Sequence, residues 1–135
     1  MRWKAFEKEV AEYFGGLRRV RVSYNESVGD IIHPNYSIEC KYGGQVPDYL
    51  TPRVPTQLTV GKQVYLLIPS RFLQVYKNNM TWNIIAWVHK KRNLAVFLVR
   101  GMRQAKKYNP MLSPVVCVKS TGRHGFVIVF KRGLR

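Results

Sequence analysis

Val28-Gly29-Asp30-Ile31-Ile32-His33-Pro34-Asn35-Tyr36-Ser37-Ile38-Glu39-Cys40-Lys41 is the stretch on which the reading of the fold turns. Two short β-rich runs, 28–33 and 36–42, flank Pro34-Asn35, a turn signal. If the turn closes a hairpin, His33 stands opposite Tyr36, Ile32 opposite Ser37, Ile31 opposite Ile38, and Asp30 opposite Glu39. Strand alternation then puts Ile31, Ile38 and Cys40 on a core face. Asp30, Glu39 and Lys41 fall on the other face. Two carboxylates facing each other across neighbouring strands repel. A divalent cation held by both offsets that repulsion, and magnesium prefers one or two carboxylates with waters and phosphate oxygens. Lys41 would then sit where an ammonium group steadies an attacking water or the charge on a phosphate. The plainer alternative is a solvated Asp–Glu–Lys cluster at a sheet edge.

Upstream, the spacing of Trp3, Phe6, Val10, Tyr13 and Phe14 predicts a helix over 3–16, stopped by Gly15-Gly16. Glu7 falls inside its apolar arc, between Phe14 and Ala11. A carboxylate there is costly unless paired or bound to a metal. Glu7 is therefore expected to face the Asp30–Glu39 group, or else to pair with Arg18 or Arg21. Residues 17–24 alternate as a half-exposed strand. Downstream, 43–55 is a Gly- and Pro-rich loop, 56–68 a strand or hairpin and 70–79 a short helix. Residues 83–88 are too short and apolar to assign. Leu94, Phe97, Leu98, Gly101, Met102 and Ala105 predict a helix over 92–108. Strands follow at 114–120 and 125–131. The expected fold is α/β, one mixed sheet with flanking helices in a single domain over residues 1–135.

Composition narrows the partner. Lys and Arg number 23 against 7 acids, a formal net charge of +16. Such a surface suits a polyanion, because each neutralised phosphate releases counterions. All seven acids lie in the first 48 residues, while 49–135 holds only basic charge. That segregation fits carboxylate chemistry beside a phosphate-binding surface. No apolar run is long enough to span a membrane, and no signal-peptide segment is evident, so the expected compartment is cytoplasmic, that of the host if the gene is viral. Cys40 and Cys117, far apart in the chain, read as small buried hydrophobes rather than zinc ligands. His33, His89 and His124 are scattered and suggest no dyad.

Phe6-Glu7-Lys8-Glu9-Val10, Val28-Gly29-Asp30 and Ser37-Ile38-Glu39-Cys40-Lys41 together resemble the PD-(D/E)XK nuclease superfamily, within it most closely the archaeal and phage Holliday junction resolvases. The likeness covers 1–42 and resumes over 103–131, where Arg103-Gln104-Ala105-Lys106-Lys107-Tyr108 precedes a proline loop and a Val-rich strand. Gly29 replaces the superfamily's proline. The resemblance implies a restriction-endonuclease-like core of helix, three strands, helix and two strands, with an insertion at about 44–92 that has no counterpart. It implies that Asp30, Glu39 and the backbone carbonyl of Cys40 bind Mg2+, with Mn2+ as a substitute. Lys41 would be the catalytic lysine and Glu7 the helix carboxylate positioning metal or water. Gln104 and Ser27 would lie near the site.

DNA contacts are expected from Arg18, Arg19 and Arg21, from Lys90, Lys91 and Arg92, and from Arg100, Arg103, Lys106 and Lys107. Tyr42, Tyr49, Tyr65, Phe72, Tyr76 and Trp82 are candidates for stacking on unpaired bases, against core packing as the ordinary role. The implied activity is metal-dependent cleavage of branched DNA, preferably four-way junctions, by a homodimer whose twofold supplies two sites. The alternatives are a restriction-like or repair nuclease of the same chemistry and a non-enzymatic basic nucleic-acid-binding protein.

Overall fold

The computed structural model of the chain describes residues 2–17, 23–25, 30–73 and 83–132. Helix α1 (Arg2–Leu17) is followed by strands β1 (Ser23–Asn25), β2 (Asp30–Ile32) and β3 (Tyr36–Tyr42). Next come β4 (Thr56–Val60), β5 (Gln63–Pro69), α2 (Ser70–Leu73) and β6 (Ala86–Lys90); the rest of the helix expected over 70–79 lies outside the described residues. Helix α3 (Val96–Tyr108) leads to β7 (Ser113–Lys119) and β8 (Val127–Lys131). The glycine pair does not stop α1, which runs through both to Leu17. Of the strand expected over 17–24, Leu17 is helical, Ser23 and Tyr24 lie in β1, and the rest lies outside the described residues.

Six strands form one mixed sheet in the order β3-β7-β8-β5-β4-β6, and β1 and β2 form a separate antiparallel ribbon. β3 runs parallel to β7, Tyr36 beside Ser113 through Tyr42 beside Lys119. The expected hairpin of residues 28–42 is corrected here: β2 pairs with β1, Asp30 beside Asn25, and β3 pairs with β7. A side chain accounts for the difference. His33 Nδ1 accepts hydrogen bonds from the backbone N–H groups of Asn35 at 3.0 Å and Tyr36 at 3.2 Å. The Tyr36 N–H would close a two-residue hairpin at His33; here the imidazole takes it instead.

The expected insertion is also corrected. Residues 44–92 are not an appendage, because β4, β5 and β6 build half of the main sheet. β5 is apolar on both faces, Tyr65 and Leu67 on one and Leu66 and Ile68 on the other, as a central strand must be. Gly61, at φ +60°, makes the β4–β5 turn in the left-handed region that glycine adopts freely.

The sheet separates two cores. On one side Leu98, Gly101, Met102 and Ala105 of α3 are buried, the first and third packing on Val116, Val118, Leu58 and Leu67. Gly101 lets α3 approach β7 closely: a Cβ there would lie 3.3 Å from a Val116 methyl group. Leu94 belongs to a 3-10 turn before α3 and is exposed, so it leaves the expected stripe. On the other side Phe6, Val10 and Phe14 of α1 pack on Tyr36, Cys117, Phe126 and Ile128, with Ile31, Ile38 and Cys40 at the margin. No helix among the described residues is long and apolar enough to cross a membrane.

Leu98 is fully buried between α3 and the sheet. Leu98→Ala is expected to lower unfolding free energy by about 3 kcal/mol in urea titration. The exposed Arg103→Ala should stay within about 0.5 kcal/mol of the parent. Equal effects of the two would contradict this placement of the core.

Candidate functional site

Alternation along β3 sorts the candidate residues. Tyr36, Ile38, Cys40 and Tyr42 belong to the α1 side. Ser37 belongs to the α3 side, where its hydroxyl donates to the Ala105 carbonyl at 2.6 Å. Glu39 and Lys41 share the parity of Ser37. They lie side by side, Lys41 Nζ 3.3 Å from Glu39 Oε1, with 26% and 30% of their side-chain surface exposed. A pair so open to water contributes little to stability. Its chemical interest is that a carboxylate and an ammonium are held together on an accessible strand.

Glu7 is only 8% exposed, on the buried face of α1. Its negative charge reaches the Cys40 thiol, and so does that of Glu39. Both carboxylates thus lie near Cys40, Glu7 from the helix packed on β3 and Glu39 from the strand itself. α1 covers the even-numbered residues of β3, and Glu39 and Lys41 have the other parity. Among the described residues β3 is an edge strand of the main sheet, and the two sides meet around its outer border. Asp30 opens β2; its side chain lies outside the described residues. Arg18, Arg19, Arg21 and Ser27 also lie outside them.

Among the described residues no group of three His, Cys, Asp or Glu side chains gathers to hold a metal. Magnesium does not require one, since it keeps several waters and takes one or two carboxylates. The half-exposed Glu39 carboxylate is a hard oxygen donor of the kind magnesium uses. Glu7, and Asp30 by its place in the sequence, are the other acids associated with β3.

On α3, Arg100, Arg103, Gln104, Lys106 and Lys107 are all exposed, on the side away from the sheet. Lys90, Lys91 and Arg92 form a second basic segment, with Lys90 Nζ 4.8 Å from the centre of the Tyr49 ring. The aromatic candidates divide otherwise than expected. Tyr65 is buried, Tyr49 packs beside it, and Tyr42 lies 6.0 Å from the Phe6 ring, so these are core residues. Phe72 lies beneath the Arg71 guanidinium, and Tyr76 and Trp82 lie outside the described residues. Among the described residues the exposed aromatics that the sequence reading did not propose for stacking include Trp87 on β6, 63% exposed, and Tyr108 at the end of α3, 68% exposed. Also missed were Arg53, Arg71 and Arg123, which the fold brings to one cleft.

Cys40 and Cys117, distant in sequence, are neighbours in register on β3 and β7, and both are free thiols. Burial pushes the pKa of each thiol up, and the charges of Glu7 and Glu39 add to the effect at Cys40. Compared with families of proteins, with characterised proteins and with solved structures, the chain matches none.

Two outcomes follow from this local chemistry. His33→Ala should destabilise the chain by roughly 1–2 kcal/mol, by leaving the Asn35 and Tyr36 N–H groups without their acceptor, whereas His33→Asn should recover part of the loss. Thermal melts of the two variants decide this, and equal melting points would contradict the capping role. The thiols set the second outcome. Folding raises their pKa values, so the native state holds these protons more tightly than the unfolded chain does. The stability they contribute is full below the ordinary thiol pKa near 9 and falls as pH rises above it. A urea midpoint lower at pH 10 than at pH 7, with native thiols slow toward a disulfide reagent at neutral pH, is the expected result. Rapid labelling of both thiols in the native protein would contradict it.

Proposed function

We propose that the chain is a metal-dependent endodeoxyribonuclease acting on branched DNA, with the four-way junction as preferred substrate. The observation that carries this reading is the Glu39–Lys41 pair, adjacent, half-exposed and on the edge strand of the sheet, with the buried Glu7 carboxylate against the same strand. Acid-x-Lys on such a strand, an acid on the helix packed against it and an aspartate on the preceding strand are the parts that the PD-(D/E)XK resemblance requires.

Mg2+ held by Glu39 and Asp30, with the Cys40 carbonyl and Glu7 contributing, would supply a nucleophilic water at neutral pH and charge stabilisation on the phosphate. The rest falls to the protein. Lys41 places a cation beside the carboxylate, where it attracts the scissile phosphate and offsets charge building on its oxygens. Glu7, held in the α1 core, orients groups at the strand. The exposed cations of α3 bind backbone phosphates, which positions DNA without reading sequence. That suits selection by branch shape. A symmetric homodimer presents two such sites to the two strands of a junction.

One observation favours the rival reading, a non-catalytic nucleic-acid-binding protein. β2 pairs with β1 rather than β3, so no ladder between β2 and β3 holds Asp30 opposite Glu39. Cleavage separates the two readings. With Mg2+, the protein is expected to nick a labelled four-way junction and leave a matched linear duplex intact. Glu39→Gln is expected to abolish nicking while keeping or tightening junction binding. Lys41→Ala should slow nicking on the order of a hundredfold or more. Binding without cleavage at any divalent metal, or nicking that persists in Glu39→Gln, would overturn the proposal.

A further inference from the structure

β3, β7 and β5 run in the same direction, so their carboxyl ends share one border of the main sheet. A cleft of about 660 Å³ opens at that border, over the ends of β5 and β7. One wall is α1, through Glu9 and Tyr13, and the opposite wall is the segment Thr51–Arg53. The floor is the end of β5 with the β7–β8 connection.

The cleft is built rather than accidental. Ser70 at the end of β5 is joined to the β7–β8 connection twice: its N–H donates to the Phe126 carbonyl at 2.7 Å, and its hydroxyl accepts from the Phe126 N–H at 3.1 Å. A side chain at position 125 would collide with that hydroxyl, since a Cβ there would lie 2.8 Å from Ser70 Oγ. The connection itself turns at Gly122, φ +81°, with the Arg123 N–H donating to the Ser120 carbonyl at 3.2 Å. Arg71 is fixed by donating to the Arg53 carbonyl and by stacking 4.9 Å above the Phe72 ring.

The charge of the cleft is one-sided. Three arginines, Arg53, Arg71 and Arg123, line it. Its one acid, Glu9, is already neutralised by Lys119 at 3.1 Å. Among the described residues the two ion pairs involve Glu39 and Glu9, and neither takes an arginine of the cleft. Tyr13 adds no negative charge, because burial pushes its hydroxyl up to about 12. Arginines that line an open groove and have no carboxylate partner among the described residues match the planar and bidentate recognition of phosphate oxygens.

We infer that this cleft binds the phosphodiester backbone of a DNA strand through Arg53, Arg71 and Arg123. The inference rests on the proposal that the chain acts on DNA, and it gives residues 44–92 a role: they supply Arg53, Arg71 and the Ser70 clamp. A strand in the cleft lies at the same border of the sheet as Lys41, which is next to the last residue of β3.

The test is fluorescence anisotropy with a fluorescein-labelled four-way junction in EDTA, where no cleavage occurs. Arg53→Ala, Arg71→Ala and Arg123→Ala are each expected to weaken binding roughly fivefold and to reduce the slope of log affinity against log salt by about 1. Lys62→Ala, which removes one charge from the exposed β4–β5 turn at the opposite border, should change neither by as much. Arg123 stands on an exposed turn, so its variant keeps the test open if Arg71→Ala fails to fold. Arginine variants indistinguishable from Lys62→Ala would overturn the inference. Inorganic phosphate should displace the junction no better than chloride at equal ionic strength. Tight capture of free phosphate, lost in Arg123→Ala, would overturn the DNA assignment in favour of a small phosphorylated ligand. The metal-free format keeps the two proposals apart. Arginine-dependent binding without metal-dependent nicking would retain the cleft and remove the nuclease, and nicking with unaltered binding in the arginine variants would do the reverse.

Discussion

Among the described residues β3 is held in the main sheet by its parallel pairing with β7, and the arrangement of the candidate residues on β3 descends from that contact. The register fixes which residues of β3 face α1 and which face α3. Cys40 is thereby set beside Cys117, and Glu39 and Lys41 are directed away from α1. It also sets Lys119 beside Tyr42, where its ammonium reaches Glu9. Because β3 is an edge strand among the described residues, groups from both sides of the sheet can meet at its outer border. A shift of one residue in this register would exchange the core and solvent faces of the strand and bury the Glu39–Lys41 pair.

The distribution of charge gives that border its character. A chain with a formal net charge of +16 repels itself. Its acids all lie in the first 48 residues, and the ion pairs among the described residues use two of them, at the carboxyl ends of β3 and β7. The cations of α3 and of the cleft have no such partners there. A phosphate backbone laid along this border would relieve the repulsion, and the carboxylates of β3 and α1 would then stand beside the phosphates. On the proposed reading the same placement would serve binding and cleavage, and the acids would carry the distinction between them.

Local signals in the sequence were legible where a residue's own surroundings decide its state. α3 was visible from Leu98, Met102 and Ala105, and α1 from Phe6, Val10 and Phe14. The alternation of Ile38 and Cys40 against Glu39 and Lys41 was read correctly as two faces of a strand. What alternation cannot supply is the partner of a strand. Pro34-Asn35 suggested a hairpin, but the His33 imidazole takes the N–H that would have closed it, and β3 finds β7 from beyond α3 instead. Residues 44–92 looked like an appendage because strands β4 to β6 join the sheet through long-range pairing. The cleft was hidden for the same reason: Arg53, Arg71 and Arg123 come from three connections that meet only when β5, β8 and β7 are side by side.

The central claim is that a divalent cation is held at β3 by Glu39 together with acids from β2 and α1. Paramagnetic broadening by Mn2+ in a two-dimensional amide NMR spectrum tests it directly. The account predicts loss of signal confined to the neighbourhood of residues 38–41, Asp30 and Glu7, and its absence in Glu39→Gln. Broadening spread over the surface, or broadening at β3 that survives in Glu39→Gln, would contradict it.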